Sequence, residues 1–230
     1  MSAAPQRSRG EGAGNPDPLL VACALRIEQA ALRSAAPGAA RAPAGSYSLL
    51  RTGMGPRAAE RAVARALERP GMDRAAVLAT GFCAGLVPGM HPGDLVVAEE
   101  TRDRQGTVTC TGTALLAEAL ARAAPGRTVH TGALTGSDHV VRGQERAQLR
   151  ATGAIAVDME SAATLWTATR AGPSPGGGRP VAAVRVIVDA PEHELVRIGT
   201  VRGGISAFRV LRAVLPAFYE WHRSLLLPRR

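Results

Sequence analysis

From residue 18 onward, short apolar runs alternate with amphipathic stretches. The runs at 19–25 (LLVACAL), 46–54 (SYSLLRTGM), 75–80 (AAVLAT) and 95–100 (LVVAEE) predict strands, as do those at 106–112 (GTVTCTG), 127–137 (RTVHTGALTGS), 154–160 (AIAVDME) and 181–191 (VAAVRVIVDAP). The stretches at 26–35, 56–69, 113–124, 143–153, 161–172 and 204–226 predict helices. Pro56 suits a first helical turn, and Val63, Ala66 and Leu67 give the helix behind it one apolar face. Pro216 should kink the last helix. The segments 95–100 and 106–112 read as a strand pair, 80–94 as a Gly-rich connection and 172–180 (GPSPGGGRP) as a surface loop. Strands that are apolar throughout and alternate with helices imply an α/β fold: a three-layer αβα sandwich around a central mixed, mostly parallel twisted sheet. No internal repeat or second domain is visible, so residues 18–230 are expected to form one domain.

The first residues, MSAAPQRSRGEGAGNPDP, lack an apolar signal core and are too rich in Gly, Pro and charge to pack; 1–17 is expected to be a disordered tail. With 46% hydrophobic residues the chain can bury a core, but aromatics are only 3%, so Ala, Val and Leu must build it. The net charge of +9 comes entirely from arginine, because the sequence has no lysine. These arginines are scattered and few aromatics accompany them, which argues against a nucleic-acid partner. Cys23, Cys83 and Cys110 are widely spaced among apolar or small residues and read as reduced packing residues of a cytoplasmic protein. His91, His130, His139, His193 and His222 show no ligand spacing, so neither metal nor cofactor is expected. No apolar run approaches the ~18 residues of a membrane span.

In a parallel sheet, ligands sit beyond the carboxyl ends of the strands. Those ends carry Glu28, Gly53-Met54-Gly55, Thr80-Gly81-Phe82, Ser137-Asp138-His139, Asp158-Met159-Glu160 and Arg185 to Asp189. Each has a plain structural alternative. Glu28 and Glu160 suit the first turn of a helix, Asp189 suits a turn before Ala-Pro, Met159 suits a core, and His139, like His91 and His193, suits a polar loop. Arg185 is harder to dismiss, because a guanidinium inside an apolar strand needs an acid partner.

The order Ala24-x-x-x-Glu28, Thr80-Gly81-x-x-x-Gly85-Leu86 followed by Gly93-Asp94-Leu95-Val96-Val97, then Val157-Asp158-Met159-Glu160-Ser161 and Arg185-Val186-Ile187-x-Asp189, resembles the nucleoside phosphorylase superfamily over roughly residues 18–225. It is most similar to the branch of nucleosidases that cleave methylthioadenosine and S-adenosylhomocysteine. The pairing of VDMES with HPGDLVV also resembles the hopanoid-associated members that release adenine from adenosylhopane.

The resemblance implies an N-glycosidase acting on a purine nucleoside, with no cofactor, working as a homodimer or larger homo-oligomer. It implies that Glu28 activates water, Arg185 supports that site, and Asp189 protonates the leaving base from a setting desolvated by Val186, Ile187 and Val188. Glu160 would bind the ribose hydroxyls with Met159 under the sugar, and Asp158, Gly81 and Phe82 would line the pocket. His139, with Val140 beside it, stands where the relatives place an aromatic over the base, and Val188 where they carry Ser. Phosphorylases of the superfamily hold phosphate with an Arg and a hydroxyl where this chain has Ala79 and Phe82. Water is therefore the expected acceptor, phosphorolysis the alternative, and a non-catalytic nucleoside-binding scaffold a third reading. Leu86, Val87, Met90, Leu195, Val196 and Ile198 are expected to form an apolar wall for a hydrocarbon or thioalkyl group on the ribose 5′ carbon, or else to pack against a partner subunit.

Overall fold

The computed structural model describes residues 17–35, 47–171, 178–191 and 200–227. Eight strands, β1 (Leu19–Cys23), β2 (Tyr47–Arg51), β3 (Ala76–Gly85), β4 (Leu95–Asp103), β5 (Gly106–Thr109), β6 (Val129–Gly136), β7 (Ala154–Asp158) and β8 (Val181–Asp189), join one mixed sheet. The helices are α1 (Arg26–Ser34), α2 (Pro56–Leu67), α3 (Thr113–Ala123), α4 (Gln144–Ala151), α5 (Ser161–Arg170), α6 (Thr200–Ala213) and α7 (Leu215–Leu226). β1 pairs in parallel with β2 and β3, β3 with β8, and β6 with β4 and β7. The β4–β5, β4–β8 and short β3–β7 pairings are antiparallel. The pairings β3–β8–β4–β6–β7–β3 form a ring, so the sheet curls closed around one end.

Alternation along β8 shows how the layers are built. Ala182, Val184 and Val186 join a cluster with α1, α3, α6 and α7, whereas Val181, Ala183 and Ile187 join one with α2 and α5. Arg185 falls in the second set. It occupies a core position on the α5 side of the sheet and is 1% exposed.

Several predicted boundaries move for identifiable reasons. β1 stops at Cys23, because the amides of Ala24 and Leu25 turn to the Glu28 carboxylate. The Gly-rich segment is strand as far as Gly85: β3 continues past Thr80, takes a bulge between Cys83 and Ala84, and reaches β7. The last helix begins earlier than its apolar pattern and is divided in two, with Pro216 in the first turn of α7. Of the predicted tail, only Asp17 lies among the described residues, where it pairs with Arg74. Residues 172–177 of the predicted loop lie outside them, and 178–180 have no regular structure.

Candidate active site

The end of β7, the middle of β8 and the start of α1 bring four charged side chains together. Glu28 lies in the first turn of α1 yet is only 2% exposed, so it does more than complement a helix dipole. Its Oε2 accepts the amides of Ala24 and Leu25, each at 2.8 Å, and its Oε1 accepts the amide of Phe82 at 2.9 Å. The β1–α1 turn thus grips the carboxylate on one side while β3 grips it on the other. Burial raises the Glu28 pKa above its ordinary value, against the pull of Arg185 and the three amides.

Arg185 supplies the countercharge. Its Nη2 meets Asp158 at 2.5 Å, its Nε donates to the Ser161 hydroxyl at 2.8 Å, and its Nη1 donates to the Thr80 carbonyl at 3.0 Å. Burial works against the guanidinium charge, but Asp158, Glu160 and Glu28 outweigh it and hold its pKa above the ordinary value. The register explains the approach: Arg185 sits beside Gly81 in the β3–β8 pair, and Gly81 has φ +135°. A Cβ there would lie 2.4 Å from Glu28 Oε1 and 2.7 Å from Arg185 Nη1. Glycine leaves room for both the acid and the guanidinium to come up against the β3 backbone.

Asp158 both closes β7 and caps the next helix, accepting the Ser161 amide at 3.1 Å through Oδ2. Capping and charge pairing are thus the work of one side chain. Glu160 makes no cap bond although it precedes α5; its Oε1 accepts the Gly55 amide at 2.8 Å, tying β7 to the segment after β2. Burial raises its pKa as well, opposed by Arg185. Half-buried Met159 lies between these acids, and Phe82, also half-buried, packs on the core while its amide serves Glu28.

The other expected residues fall differently. Asp189, at the end of β8, forms an ion pair with Nη2 of Arg146 from α4, so its neighbourhood is not purely apolar; Ile187 is buried and Val188 half-buried. His139 and Val140 are exposed. His139 bonds Asp138 through Nδ1 at 2.7 Å and Glu145 through Nε2 at 3.0 Å, and these bonds raise its pKa. Leu86 and Met90 are core residues, each 2% exposed, and do not form a free wall. Leu195, Val196 and Ile198 lie outside the described residues. Cys23, Cys83 and Cys110 are unpaired; burial pushes the thiols of Cys23 and Cys110 up to about 12 and Cys83 higher still. Among the described residues, no group of three or more His, Cys, Asp or Glu side chains could hold a metal ion, and no helix is long and apolar enough to cross a membrane.

Residues 39–216 match the family described as the phosphorylase superfamily. The chain belongs to that superfamily. No functionally curated protein matches it in sequence. Among solved structures, it is similar to the S-adenosylhomocysteine nucleosidase of Streptococcus pyogenes in complex with 5-methylthiotubericidin (TM-score 0.72, 20% identity, 95% of this chain and 100% of that one). It is also similar to the 5′-methylthioadenosine/S-adenosylhomocysteine nucleosidase of Neisseria meningitidis in complex with methylthio-immucillin-A (0.69, 22%, 89% and 98%) and to the futalosine hydrolase of Helicobacter pylori (0.71, 14%, 89% and 97%). At these identities the likeness is one of fold.

Within this superfamily member, sequence reasoning missed Arg146, Ser161 and the Gly55 amide. Ser161 was within reach, since a serine directly after three strand-end residues stands where a buried guanidinium needs acceptors. Arg146 carried no signal, because α4 is polar on most of its surface and offers a single buried residue, Arg146 itself.

Proposed function

We propose that this phosphorylase-superfamily member is a nucleosidase, cleaving the N-glycosidic bond of a purine nucleoside with water as acceptor. The observation that carries the reading is the buried cluster of Glu28, Asp158 and Glu160 around Arg185. Glycosidic cleavage builds positive charge on the sugar ring, and Glu28 and Glu160, acids that no ion pair of their own neutralises, are suited to meet that charge. Glu28, held by three amides and with its pKa raised, suits a general base whose ordinary value is too low for work near neutral pH. Glu160 takes the ribose hydroxyls with Met159 beneath the sugar, and Gly81 and Phe82 form the floor. Asp189 protonates the base as the C–N bond breaks, with His139 and Val140 beside it.

The 5′ substituent in this reading is apolar, as in methylthioadenosine or adenosylhopane. Its support is the ligands of the two nucleosidase neighbours, methylthio-immucillin-A and 5-methylthiotubericidin, together with half-buried Val87. Exposed Met54 and Val140, which follow β2 and β6, support a homo-oligomer, and three unpaired thiols support a cytoplasmic location. Phosphorolysis is the second reading. Arg26, Arg33 and Arg51 carry the charge-assisted donors that phosphate needs and line an open cavity of about 750 Å³ between α1 and the end of β2, but none of the site's acids lines it.

The test is release of free base from adenosine, inosine, methylthioadenosine and an adenosyl hydrocarbon, each with and without phosphate. Free sugar formed at a phosphate-independent rate, fastest with the alkylated substrates, is expected. A sugar 1-phosphate product would move the assignment to a phosphorylase, and preference for inosine would remove the apolar 5′ group. No release of base from any compound would leave a binding scaffold.

A further inference from the structure

The open cavity between α1 and the end of β2 is lined by Arg26, Gln29, Ala30, Arg33, Ser34 and Arg51. Residues 26, 29, 30 and 33 recur three and four apart and so share one face of α1, while Glu28, Ala31 and Leu32 are buried on the other. Arg51 ends β2, the edge strand of the sheet, level with Cys23 where β1 stops. Three guanidiniums thus surround one space that no acid lines. Among the described residues, none of the three makes an ion pair or a side-chain hydrogen bond, whereas Arg74, Arg102 and Arg122 each meet a carboxylate. The chain from 29 to 59, which carries Arg33 and Arg51, contains neither Asp nor Glu. Burial raises the pKa of the Cys23 thiol, and the fields of Arg51 and Arg33 both oppose it, so the two guanidiniums act on one buried point.

Like charges gathered around one space repel one another, and an anion bound among them removes that cost. We propose that this cavity is a binding site for a small polyanion with two or more linked phosphoryl groups, such as a polyphosphate chain. Arginine suits phosphoryl oxygens because its planar fork donates two parallel hydrogen bonds. Arg26 and Arg33 bracket the α1 face, about 10 Å apart along its axis at about 1.5 Å per residue, a spread that favours an extended polyanion over a single phosphate. The Gln29 amide adds a neutral donor, whereas the Ser34 hydroxyl already donates to the Ala31 carbonyl at 2.8 Å. Ala30 is the apolar member of the lining, so the cavity has no wall for a base or a hydrocarbon. Glu28, Asp158 and Glu160 do not line it, so the bound anion is a ligand and not the acceptor in glycosidic cleavage. The site does not rest on the nucleosidase reading.

The experiment is isothermal titration calorimetry of the full chain with tripolyphosphate, pyrophosphate and orthophosphate, at about 0.15 M salt, where exposed charges more than about 8 Å apart are largely screened. Tripolyphosphate should bind saturably and about 10-fold or more tightly than orthophosphate, the worth of one further charge-assisted contact. Arg33→Gln combined with Arg51→Gln should weaken tripolyphosphate by about 10²-fold, a factor of about 10 for each guanidinium lost. Arg74→Gln combined with Arg150→Gln removes the same charge from exposed positions that do not line the cavity, and should change the affinity by no more than about twofold. Equal losses in the two double variants, no saturable binding, or orthophosphate bound as tightly as tripolyphosphate would overturn the proposal. If the Arg33 and Arg51 double variant fails to fold, Arg51→Gln alone decides: a loss of about 10-fold supports the site and none overturns it. A single-stranded oligonucleotide that binds more tightly than tripolyphosphate, and is lost in the same variant, would overturn the small-polyanion ligand in favour of a nucleic-acid surface. A sugar 1-phosphate product that disappears in that variant would make the cavity the acceptor site and overturn the proposal as well.

Discussion

Gly81→Ala tests whether the acid and guanidinium are as tightly placed as their distances imply. The backbone at Gly81 has φ +135°, where a side chain is strained by about 1–3 kcal/mol. The added methyl would also lie 2.4 Å from Glu28 Oε1, and ordinary van der Waals separation is about 1 Å longer. A flexible side chain could swing away cheaply, but Glu28 is held by three amides and Arg185 by Asp158, Ser161 and the Thr80 carbonyl. Moving Oε1 sacrifices the bond from the Phe82 amide, and a buried bond to a charged group is worth about 1.5–3 kcal/mol. The expected destabilisation is therefore about 3–6 kcal/mol, a large share of the 5–15 kcal/mol typical of a whole domain. Gly71→Ala is the control, since Gly71 has φ +79° with nothing within 4 Å of its Cβ position. It carries backbone strain without the contact. Urea unfolding of both variants gives the two values, and their difference reads the contact with Glu28. Base release by folded Gly81→Ala should fall with Glu28 displaced. A difference below about 1 kcal/mol with activity retained would refute the close packing of Glu28 and Arg185 against Gly81.

Asp189→Asn should lower kcat on purine nucleosides by roughly 10²–10⁴-fold with a much smaller change in KM, since an amide cannot protonate the base; equal losses in binding and turnover would mark Asp189 as a structural residue. Glu160 has its pKa raised above 4.5 by burial, so its folded-state contribution is fully present below the unfolded value and is lost as pH rises through the folded one. The stability of the wild type minus that of Glu160→Gln should accordingly decline as pH rises above 4.5, measured by urea unfolding at each pH; a difference that grows with pH would contradict the upward direction. Arg179 donates to the carbonyls of Ala168, Met72, Ala75, Asp73 and Ala171, closing α5 onto the loop before β3. Arg179→Met should cost about 3–5 kcal/mol by leaving those acceptors unsatisfied, with kcat per folded molecule unchanged.

The layer order was legible because β8 and β3 are apolar on both faces and the helices between strands keep one apolar side. The division of the last helix was legible from Pro216. Closure of the sheet was not, because the β3–β7 contact rests on only two residue pairs, Ala84–Val157 and Gly85–Ala156. A Gly-rich run such as Thr80–Gly85 also looks like a loop when the reason for its glycine is a carboxylate arriving from another helix. At the site, the acids showed themselves by standing at strand ends. The partner of Asp189 comes from a polar helix whose pattern carries no mark of a buried arginine.

The arrangement around Arg185 bears on why a protein would keep four charges inside a core of small apolar side chains. Removing charges from water costs several kcal/mol per ion even after relaxation, and an apolar core of similar volume is often at least as stable. Here the penalty shows in the raised pKa values of Glu28 and Glu160, two acids that the surroundings would rather keep neutral. Arg185 offsets part of it, but it pairs directly with Asp158 alone, so Glu28 and Glu160 lack a cation of their own. That shortage is relieved when a cation develops between the acids, as it does on a sugar ring losing its base. A site strained in this sense binds the transition state more tightly than the neutral substrate, which is the condition for accelerating the chemical step. A purely structural ion pair would have been balanced one to one, as Arg74 and Asp17 are at the surface. The excess of buried acid over base is thus a feature that stability alone does not explain, and that the proposed glycosidic cleavage would use.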